Sequence, residues 1–232
     1  MNKKAVILLS GGLDSATVAA WANSRNYDLH ALSFSYGQRH DIELECSKKI
    51  AIFLRIKDHR ISKIDLSIFG GSSLTDKNIA VEKNRANLEK NDEIPTTYVP
   101  ARNVIFLSYA LAFAESIGAK TIFIGANKVD YSGYPDCRPA FLNAFENMGN
   151  LATKMTIKGE KITISTPLLD LTKAEIIKMG VDLNFDYSLT HSCYDPVKKN
   201  NEIYACGKCD SCLFRLKGFR ENNLQDPILY LP

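Results

Sequence analysis

A short apolar run, a glycine turn and an amphipathic segment open this chain and constrain its fold more than any other feature. Residues 5–9 predict a strand, residues 10–15 form the turn Ser-Gly-Gly-Leu-Asp-Ser, and the segment after them predicts a helix. Gly11 and Gly12 permit positive φ and allow a ligand to approach the backbone closely. Backbone N–H groups and a helix N-terminus then surround one point, which is an arrangement that binds an anion.

Asp14 lies within this turn, although its carboxylate would repel a bare phosphate. A divalent cation such as Mg²⁺ that bridges the carboxylate and the phosphates accounts for it. The turn lacks the Gly-Lys-Ser/Thr ending of a Walker A loop and the third glycine of a dinucleotide fingerprint. A plain strand–helix turn with a serine N-cap is the alternative. The full motif favours a nucleotide pyrophosphate site in which Ser10 and Ser15 add hydroxyl donors.

Length and composition indicate a globular protein of one domain, or of one domain with a small appendage. The chain has 232 residues, of which 45% are hydrophobic and 24% charged. No apolar run approaches the ~20 residues that span a bilayer, and the apolar run after the N-terminus is too short for a signal peptide. We therefore expect a cytoplasmic protein. The net charge of +3 comes from interspersed residues of both signs, so we expect no nucleic-acid partner.

Strand-like and helix-like segments alternate along the chain, which predicts an α/β fold with a doubly wound parallel sheet. The expected strands are 5–9, 29–34, 58–62, 121–125 and 161–165, and the expected helices are 14–25, 42–54, 103–116 and 173–179. Gly118 and Gly180 are expected to end the last two helices. The polar segment 70–97 is expected to be an excursion or a mobile loop. In such folds the ligand binds at the carboxyl ends of the strands.

Four cysteines near the C-terminus have the spacing of a metal site. They are Cys193, Cys206, Cys209 and Cys212. Four thiolates suit a closed, structural zinc site better than disulfides in a chain with no export signal. His191 is an alternative ligand. An iron–sulfur cluster is disfavoured because Leu216 stands where its fourth cysteine would be, and a redox Cys-x-x-Cys is a third possibility. We expect a zinc-binding region, 191–232, packed on an α/β domain, 1–190.

The loop after the fourth expected strand is dense in side chains that suit a flat, polar ligand. Two tyrosines can stack on a ring, two aspartates can accept hydrogen bonds from a guanine-like edge, and an arginine can pair with a carboxylate. These residues are Asp130, Tyr131, Tyr134, Asp136 and Arg138. The alternative is a solvated surface turn.

The N-termini of two predicted helices contain further candidate site residues. Arg102 stands at the entrance of a helix, where a phosphate or carboxylate can meet it, and Asn103 suits the N-cap. Thr172 and Glu175 have the spacing of a capping box. Lys173 between them opposes the helix dipole, which indicates a nearby anion, although a solvated lysine is the alternative.

The turn at 10–15 matches the pyrophosphate loop of the N-type ATP pyrophosphatases, and nearly the whole chain resembles the 7-cyano-7-deazaguanine (preQ0) synthases of the queuosine pathway. The resemblance is carried by residues 10–15, 36–40, 98–103, 125–127, 130–138, 167–175 and 193–212. It implies a Rossmann-like fold of the adenine nucleotide alpha hydrolase type. It also implies that 7-carboxy-7-deazaguanine, ammonia and ATP yield the 7-nitrile through adenylated carboxylate and amide intermediates.

The resemblance further implies the roles of individual residues. Asp14, Ser15 and Lys173 would be catalytic, Arg102 and Asn103 would join the 130–138 loop in binding substrate, and the four cysteines would hold Zn²⁺. The ATP segment would comprise Leu8, Leu9, Ser10, Gly11, Gly12, Leu13, Asp14, Ser15, Ala16, Thr17 and Val18. Family members are homodimers by the same resemblance. A tRNA-thiolating enzyme, another amidating pyrophosphatase such as NAD synthetase, and a zinc-ribbon nucleic-acid binder are the alternatives.

Overall fold

A five-stranded parallel sheet forms the centre of the molecule. The computed structural model describes residues 3–85, 94–127, 133–200 and 202–232. The strands are β1 Lys3–Leu8, β2 Tyr27–Ser35, β3 Asp58–Lys63, β4 Thr121–Phe123 and β5 Thr163–Ser165. They lie in the order β3-β2-β1-β4-β5, and every neighbouring pair is parallel. The predicted parallel sheet is confirmed.

Helices follow most of the strands, and a small hairpin lies near the C-terminus. The helices are α1 Leu13–Ser24, α2 Ile42–Phe53, α3 Arg102–Ile117, α4 Pro139–Ala152, α5 Lys154–Ile157, α6 Lys173–Asp182 and α7 Asp210–Glu221, and the antiparallel hairpin pairs β6 Val197–Lys199 with β7 Glu202–Tyr204. The sequence analysis did not predict α4 or α7. It interpreted the residues before α4 as a ligand-binding loop and the whole of 191–232, which contains α7, as a zinc-binding region. None of the helices in the described part of the chain is both long and apolar enough to cross a membrane.

The strand residues alternate between two apolar layers, which is why the sheet is covered on both faces. Val6 and Leu8 of β1 pack with apolar side chains of α3 and α4. Ala5 and Ile7 of the same strand point the other way, towards α1, α2, α6 and α7. Successive side chains of a strand face opposite sides of the sheet, so a fully apolar strand is buried from both directions. The expected doubly wound arrangement is confirmed.

The strand order also determines where a ligand binds. From β1 the chain builds β2 and β3 on one side and later adds β4 and β5 on the other. The connections therefore leave β1 and β4 in opposite directions, and a crevice opens outside their carboxyl ends. The glycine turn at residues 10–15 follows β1 directly and lies at this crevice.

Gly118 ends α3 in the left-handed conformation as expected, with φ of 70°. The expectation that Gly180 ends α6 is wrong, because the helix continues to Asp182. The reason is packing: a Cβ on Gly180 would lie 2.0 Å from the Tyr187 hydroxyl oxygen. Tyr187 in turn bonds Thr17 of α1 at 2.7 Å. The glycine allows the tyrosine to cross α6 and reach α1.

Replacing Gly180 by alanine is expected to lower the free energy of unfolding by about 1–3 kcal/mol, because the buried tyrosine must move. Gly149 in α4 is the matched control. Its added Cβ would meet only the end of the flexible Leu111 side chain, at 3.2 Å, and alanine favours the helix. Urea unfolding of both variants tests the prediction. A Gly180→Ala protein as stable as the Gly149→Ala protein would contradict it.

The C-terminal region is joined to the rest of the chain through the buried guanidinium of Arg215, which also forms an ion pair within the region. Arg215 of α7 donates to both carboxylate oxygens of Asp226 at 2.7 and 2.9 Å. The same guanidinium donates to the Thr190 hydroxyl at 2.7 Å and to the Tyr187 carbonyl at 3.2 Å. These bonds satisfy a charge that burial would otherwise make costly. The domain boundary at residue 190 stays a prediction.

The polar segment 70–97 forms no helix or strand over its described parts, 70–85 and 94–97. Its first half is nevertheless held in place. Arg39 donates to the carbonyl oxygens of Ser73 at 2.5 Å and Asp76 at 2.9 Å, and also to that of Ile79. The excursion is therefore anchored on the loop that follows β2.

Candidate nucleotide and substrate site

A cavity of about 210 Å³ opens at the carboxyl edge of the sheet. Its walls come from the turn after β1, the end of β2, the start of α3 and the residues after β4. One end holds the glycine turn, and the other holds Arg102 with several aromatic rings. The cavity therefore joins the predicted phosphate site to the predicted substrate site.

Hydroxyl groups and backbone amides crowd together at the glycine turn. The hydroxyl oxygens of Ser10 and Ser15 lie 2.9 Å apart, and the Gly12 amide donates to the Ser10 hydroxyl at 3.2 Å. The Leu13 amide donates to the Ser192 hydroxyl at 3.1 Å. The N-cap of α1 is Gly12, so no side chain of the cap residue occupies the N–H groups at the start of this helix. The residues of the first turn of α1, Leu13, Asp14 and Ser15, line the cavity, where the helix dipole favours an anion.

Two glycines permit this geometry. Gly11 has φ of 95°, and a Cβ on it would lie 2.0 Å from the backbone oxygen of Glu43 in α2. A Cβ on Gly125, after β4, would lie 3.0 Å from the Ser15 amide nitrogen. The turn is therefore clamped between the start of α2 and the end of β4, with no room for side chains.

Asp14 and Lys173 form an ion pair at the edge of the turn. The Lys173 ammonium donates to the two carboxylate oxygens of Asp14 at 2.6 and 2.7 Å. Lys173 begins α6, where the expected capping box of Thr172 and Glu175 is present. The structure thus brings together two residues that are 159 positions apart in the chain. The anion expected near Lys173 is therefore, in this structure, the carboxylate of Asp14.

The rest of the predicted ATP segment divides into two groups. Leu8, Leu9 and Leu13 line the cavity. Ala16 and Val18 are fully buried in the apolar layer of α1. The Thr17 hydroxyl is also buried, and it bonds the Leu13 carbonyl at 2.9 Å and the Tyr187 hydroxyl. The structure does not bring the side chains of residues 16–18 to the cavity.

Asn103 lines the cavity, but it is not the N-cap that the sequence predicts. Helix α3 begins at Arg102 after Ala101, whose φ is 54°. The Asn103 side chain donates to the Asp136 carbonyl at 3.2 Å and to the Cys137 sulfur at 3.1 Å. The Asp136 carboxylate accepts a hydrogen bond from the backbone amide of Asn103 at 2.8 Å. A distant carboxylate therefore replaces the local cap, and Asp136 is buried behind the cavity rather than lining it.

Aromatic rings line the substrate end. Tyr36, Phe106 and Tyr134 all border the cavity, and the Arg102 guanidinium lies 5.9 Å from the Tyr36 ring centroid. A flat ring system with a carboxylate fits such a pocket, because the rings can stack on it and the guanidinium can pair with the acid. Arg138 is exposed and does not line the cavity. Predicted residues Asp130 and Tyr131 lie outside the described residues.

Glu43 is a residue of the cavity wall that the sequence analysis missed. Burial raises the pKa of its carboxyl group to about 7, although the positive charge of Arg102 opposes the shift. Nothing local marks this glutamate, because it is one of several acidic residues in an amphipathic helix. Ser192 and Tyr194 were also missed. They reach the cavity from the segment that leads into the cysteine cluster.

The four predicted cysteines converge. Their sulfur atoms all lie within 4.8 Å of one another, and all four side chains are buried. Backbone amides point at the sulfurs: that of Cys206 donates to Cys193 at 3.2 Å, and that of Cys209 donates to Cys206 at 3.3 Å. Hydrogen bonds from the neighbouring thiols of Cys193 and Cys212 hold the pKa of Cys209 well below its usual range. Buried sulfurs that converge and accept from backbone amides suit a four-thiolate metal centre.

The remaining cysteines and His191 stay outside this cluster. Cys46 is buried within α2 as expected, and Cys137 is buried beside Asn103. His191 is buried, and its backbone amide donates to the Gly11 carbonyl at 3.1 Å. Among the described residues, the four cysteines alone form the group that can hold a metal ion.

The parallel sheet, the glycine turn after β1 and the cavity at the carboxyl edge define an α/β fold of the nucleotide-binding type, with a four-cysteine cluster near its C-terminus. The model of the family "Queuosine biosynthesis protein QueC" matches residues 4–223. The chain belongs to this family, and the resemblance seen in the sequence is confirmed.

Named relatives agree with the family match. The 7-cyano-7-deazaguanine synthase of Desulfatibacillum aliphaticivorans is 57% identical and covers 100% of this chain and 98% of its own length. The 7-cyano-7-deazaguanine synthase of Paramagnetospirillum magneticum is 56% identical, and the match covers 98% of this chain and 99% of that protein. A solved structure described as a predicted subunit of tRNA methyltransferase from Methanocaldococcus jannaschii has a TM-score of 0.50 at 14% identity, over 99% of this chain and 92% of that one. This last likeness shows the fold alone.

Proposed function

We propose that this protein converts 7-carboxy-7-deazaguanine, ammonia and ATP into 7-cyano-7-deazaguanine, in queuosine biosynthesis. The observation that carries the proposal is membership of a family whose curated relatives, 57% and 56% identical along the chain, are named for that product. The cavity supports it, because a phosphate-binding turn and an aromatic pocket with an arginine open into the same space.

The chemistry explains why such a cavity is needed. A carboxylate is a poor electrophile, so its oxygen attacks the α-phosphorus of ATP and pyrophosphate leaves. Ammonia then attacks the acyl carbon, AMP leaves, and an amide forms. The amide oxygen attacks a second ATP. Loss of AMP and the nitrogen-bound protons leaves the nitrile. Both activations use the same two subsites, one for the phosphates and one for the deazaguanine.

The turn after β1 is the proposed phosphate subsite. The hydroxyl groups of Ser10 and Ser15 and the amides of the first turn of α1 would donate to the pyrophosphate. Lys173 would exchange its ion pair with Asp14 for the phosphate charge, which frees the carboxylate. The donor set of this subsite fits Mg²⁺, because Asp14 offers an oxygen ligand beside the phosphates. Bound there, the ion neutralises the leaving pyrophosphate.

The proposed deazaguanine subsite lies at the opposite end. Arg102 would pair with the 7-carboxylate, and Tyr36, Phe106 and Tyr134 would stack around the ring. Asn103 would contact the substrate from its position beside Cys137. Asp130 and Tyr131 stay predictions for the same ligand. Asp136 orients Asn103 instead of meeting the substrate directly.

The four cysteines are proposed to hold a structural Zn²⁺, because their buried sulfurs lie close enough to share one ion and the four are not among the residues that line the cavity. When bound, zinc cross-links residues that are distant in the chain. Residues 191–232 would then act as a metal-stabilised region packed on residues 1–190. The six cysteines form no disulfide in the structure, and unpaired cysteines in this number suit a reducing compartment, which supports a cytoplasmic location.

A homodimer is proposed as the working form. Met148 and Leu151 are exposed on one face of α4, and Ile157 of the adjoining α5 is 87% exposed. Apolar groups of this size are typical of surfaces that a partner covers. Light scattering of the wild-type protein and of Leu151→Asp tests this assignment. A monomeric wild-type protein would contradict it.

Product analysis tests the proposed reaction. The purified protein is incubated with 7-carboxy-7-deazaguanine, ammonium, ATP and Mg²⁺, and the products are identified by mass. We expect the nitrile, together with AMP and pyrophosphate. A product that stops at the amide would favour an amidating ligase. Turnover that requires tRNA and a sulfur donor would favour a thiolating enzyme.

A further inference from the structure

Glu43 lines the cavity, and its carboxylate has no role in the proposed reaction as described above. It is the second residue of α2, whose first turn presses on Gly11. Its Oε1 atom lies 3.9 Å from the position that a Cβ on Gly12 would occupy, and its charge interacts with that of Arg102. Glu43 thus faces both the phosphate turn and the arginine of the substrate end.

The carboxylate is available for chemistry, in contrast to that of Asp14. Asp14 accepts two short bonds from Lys173. Within the described part of the chain, the Glu43 carboxylate makes no hydrogen bond and no ion pair shorter than 4 Å. A carboxylate that lines a cavity without a fixed partner can accept a proton from a ligand there.

We propose that Glu43 is the general base for the nitrogen chemistry of this site, an inference that rests on the proposed function. The acyl carbon that ammonia attacks lies between the adenylate phosphate and the substrate ring, and Glu43 lies between the subsites for these two groups. As the C–N bond forms, one N–H proton passes to the Glu43 carboxylate. The C–O bond to AMP then breaks, and AMP leaves with the electron pair.

The nitrile-forming stage also requires a group that accepts protons from nitrogen. After the amide oxygen has been adenylated, the nitrogen still carries two protons, and both must leave to give a C≡N bond. Glu43 accepts the first of these protons from the cationic O-adenylated amide and passes it to solvent. It then accepts the second as the C–O bond breaks and AMP leaves with the electron pair. It releases its proton to solvent or to the departing AMP between the stages. One carboxylate therefore serves both displacements, and no oxidant or reductant is required.

The surroundings of Glu43 suit this role. Its pKa of about 7 lies near the working pH, where a general base is most effective. The charged and titratable groups that act on it or share its cavity are Arg102, Tyr36, Cys46, Asp14, Tyr134, Cys137 and Tyr194. Arg102 is the cation among them, and it keeps a fraction of the carboxylate ionised despite burial.

Two partial reactions of Glu43→Gln test the inference. The first is ATP–pyrophosphate exchange with 7-carboxy-7-deazaguanine in the absence of ammonia, which reports adenylation alone. The second is formation of amide and nitrile with ammonia. We expect exchange close to that of the wild-type protein and a fall of about 100-fold or more in product formation. Glu45→Gln is the matched control, because Glu45 lies on the same helix turn but is exposed and pairs with Lys48.

The pH dependence gives a second readout. A base works only when deprotonated, so the wild-type rate should rise with pH through about 7, measured at a constant concentration of unprotonated ammonia. Glu43→Gln should lose this rise, whereas Glu43→Asp should keep it at a lower rate.

Three outcomes would overturn the inference. Product formation by Glu43→Gln within twofold of the wild-type rate would exclude a proton-accepting role. Loss of exchange together with product formation would assign Glu43 to nucleotide binding. A wild-type protein that shows no exchange with 7-carboxy-7-deazaguanine would contradict the proposed function itself, and the inference would fail with it.

Discussion

Replacing Asp14 by asparagine is expected to lower ATP–pyrophosphate exchange by about 1000-fold while the protein stays folded. The amide keeps the shape of the side chain but loses the charge that balances Lys173 and that would hold Mg²⁺. Lys173 is then left beside the turn without its partner. Exchange measured at saturating ATP and Mg²⁺, with circular dichroism to verify folding, checks the prediction.

The chain provides a matched control on the same helix as Lys173. Lys178 and Asp182 form an ion pair of 2.9 Å in α6, and both side chains are more than half exposed. Asp182→Asn removes a comparable charge from that helix but should leave exchange unchanged, because exposed pairs contribute little. Full exchange activity in Asp14→Asn would remove the argument that this carboxylate acts on the phosphates.

Replacing Cys209 by serine is expected to remove the bound zinc and to lower the free energy of unfolding by about 4 kcal/mol or more. Three remaining thiolates cannot close a tetrahedral site, and the cluster packs at the start of α7, whose N-cap is Cys209. Arg85 also pairs with Asp210 beside it, at 2.9 Å. Metal analysis of the purified protein and urea unfolding measure the two effects.

Cys46→Ser is the control for metal content, because Cys46 is a buried thiol outside the cluster. It should retain one zinc per chain even if its packing suffers. If Cys209→Ser bound zinc with the stoichiometry of the wild-type protein, the assignment of the four cysteines would be wrong.

Features encoded by short-range patterns were the ones that the sequence predicted well. The apolar strands, the turn at 10–15 and the capping box at α6 each depend on residues a few positions apart. The four cysteines were also recognisable, because three of them lie within seven residues and their chemistry is specific. Their convergence with Cys193 in the structure agrees with the predicted centre.

The predictions that were wrong or missing depend on distant contacts. Asn103 has the local preference of an N-cap, but the Asp136 carboxylate, 33 residues away, occupies that role. Gly180 has the local preference of a helix end, but it is retained inside α6 to make room for Tyr187. Glu43 enters the cavity only because α2 packs on Gly11. No pattern within one segment records such contacts.

Three consecutive residues join the glycine turn to the cysteine cluster. The His191 amide donates to the Gly11 carbonyl, the Ser192 hydroxyl accepts from the Leu13 amide, and Cys193 belongs to the cysteine cluster. No further residue separates these contacts, so the glycine turn and the cysteine cluster are held to each other directly. An attempt to graft the turn onto another parallel-sheet scaffold would therefore have to include the cysteine cluster. An insertion between the two would disturb both.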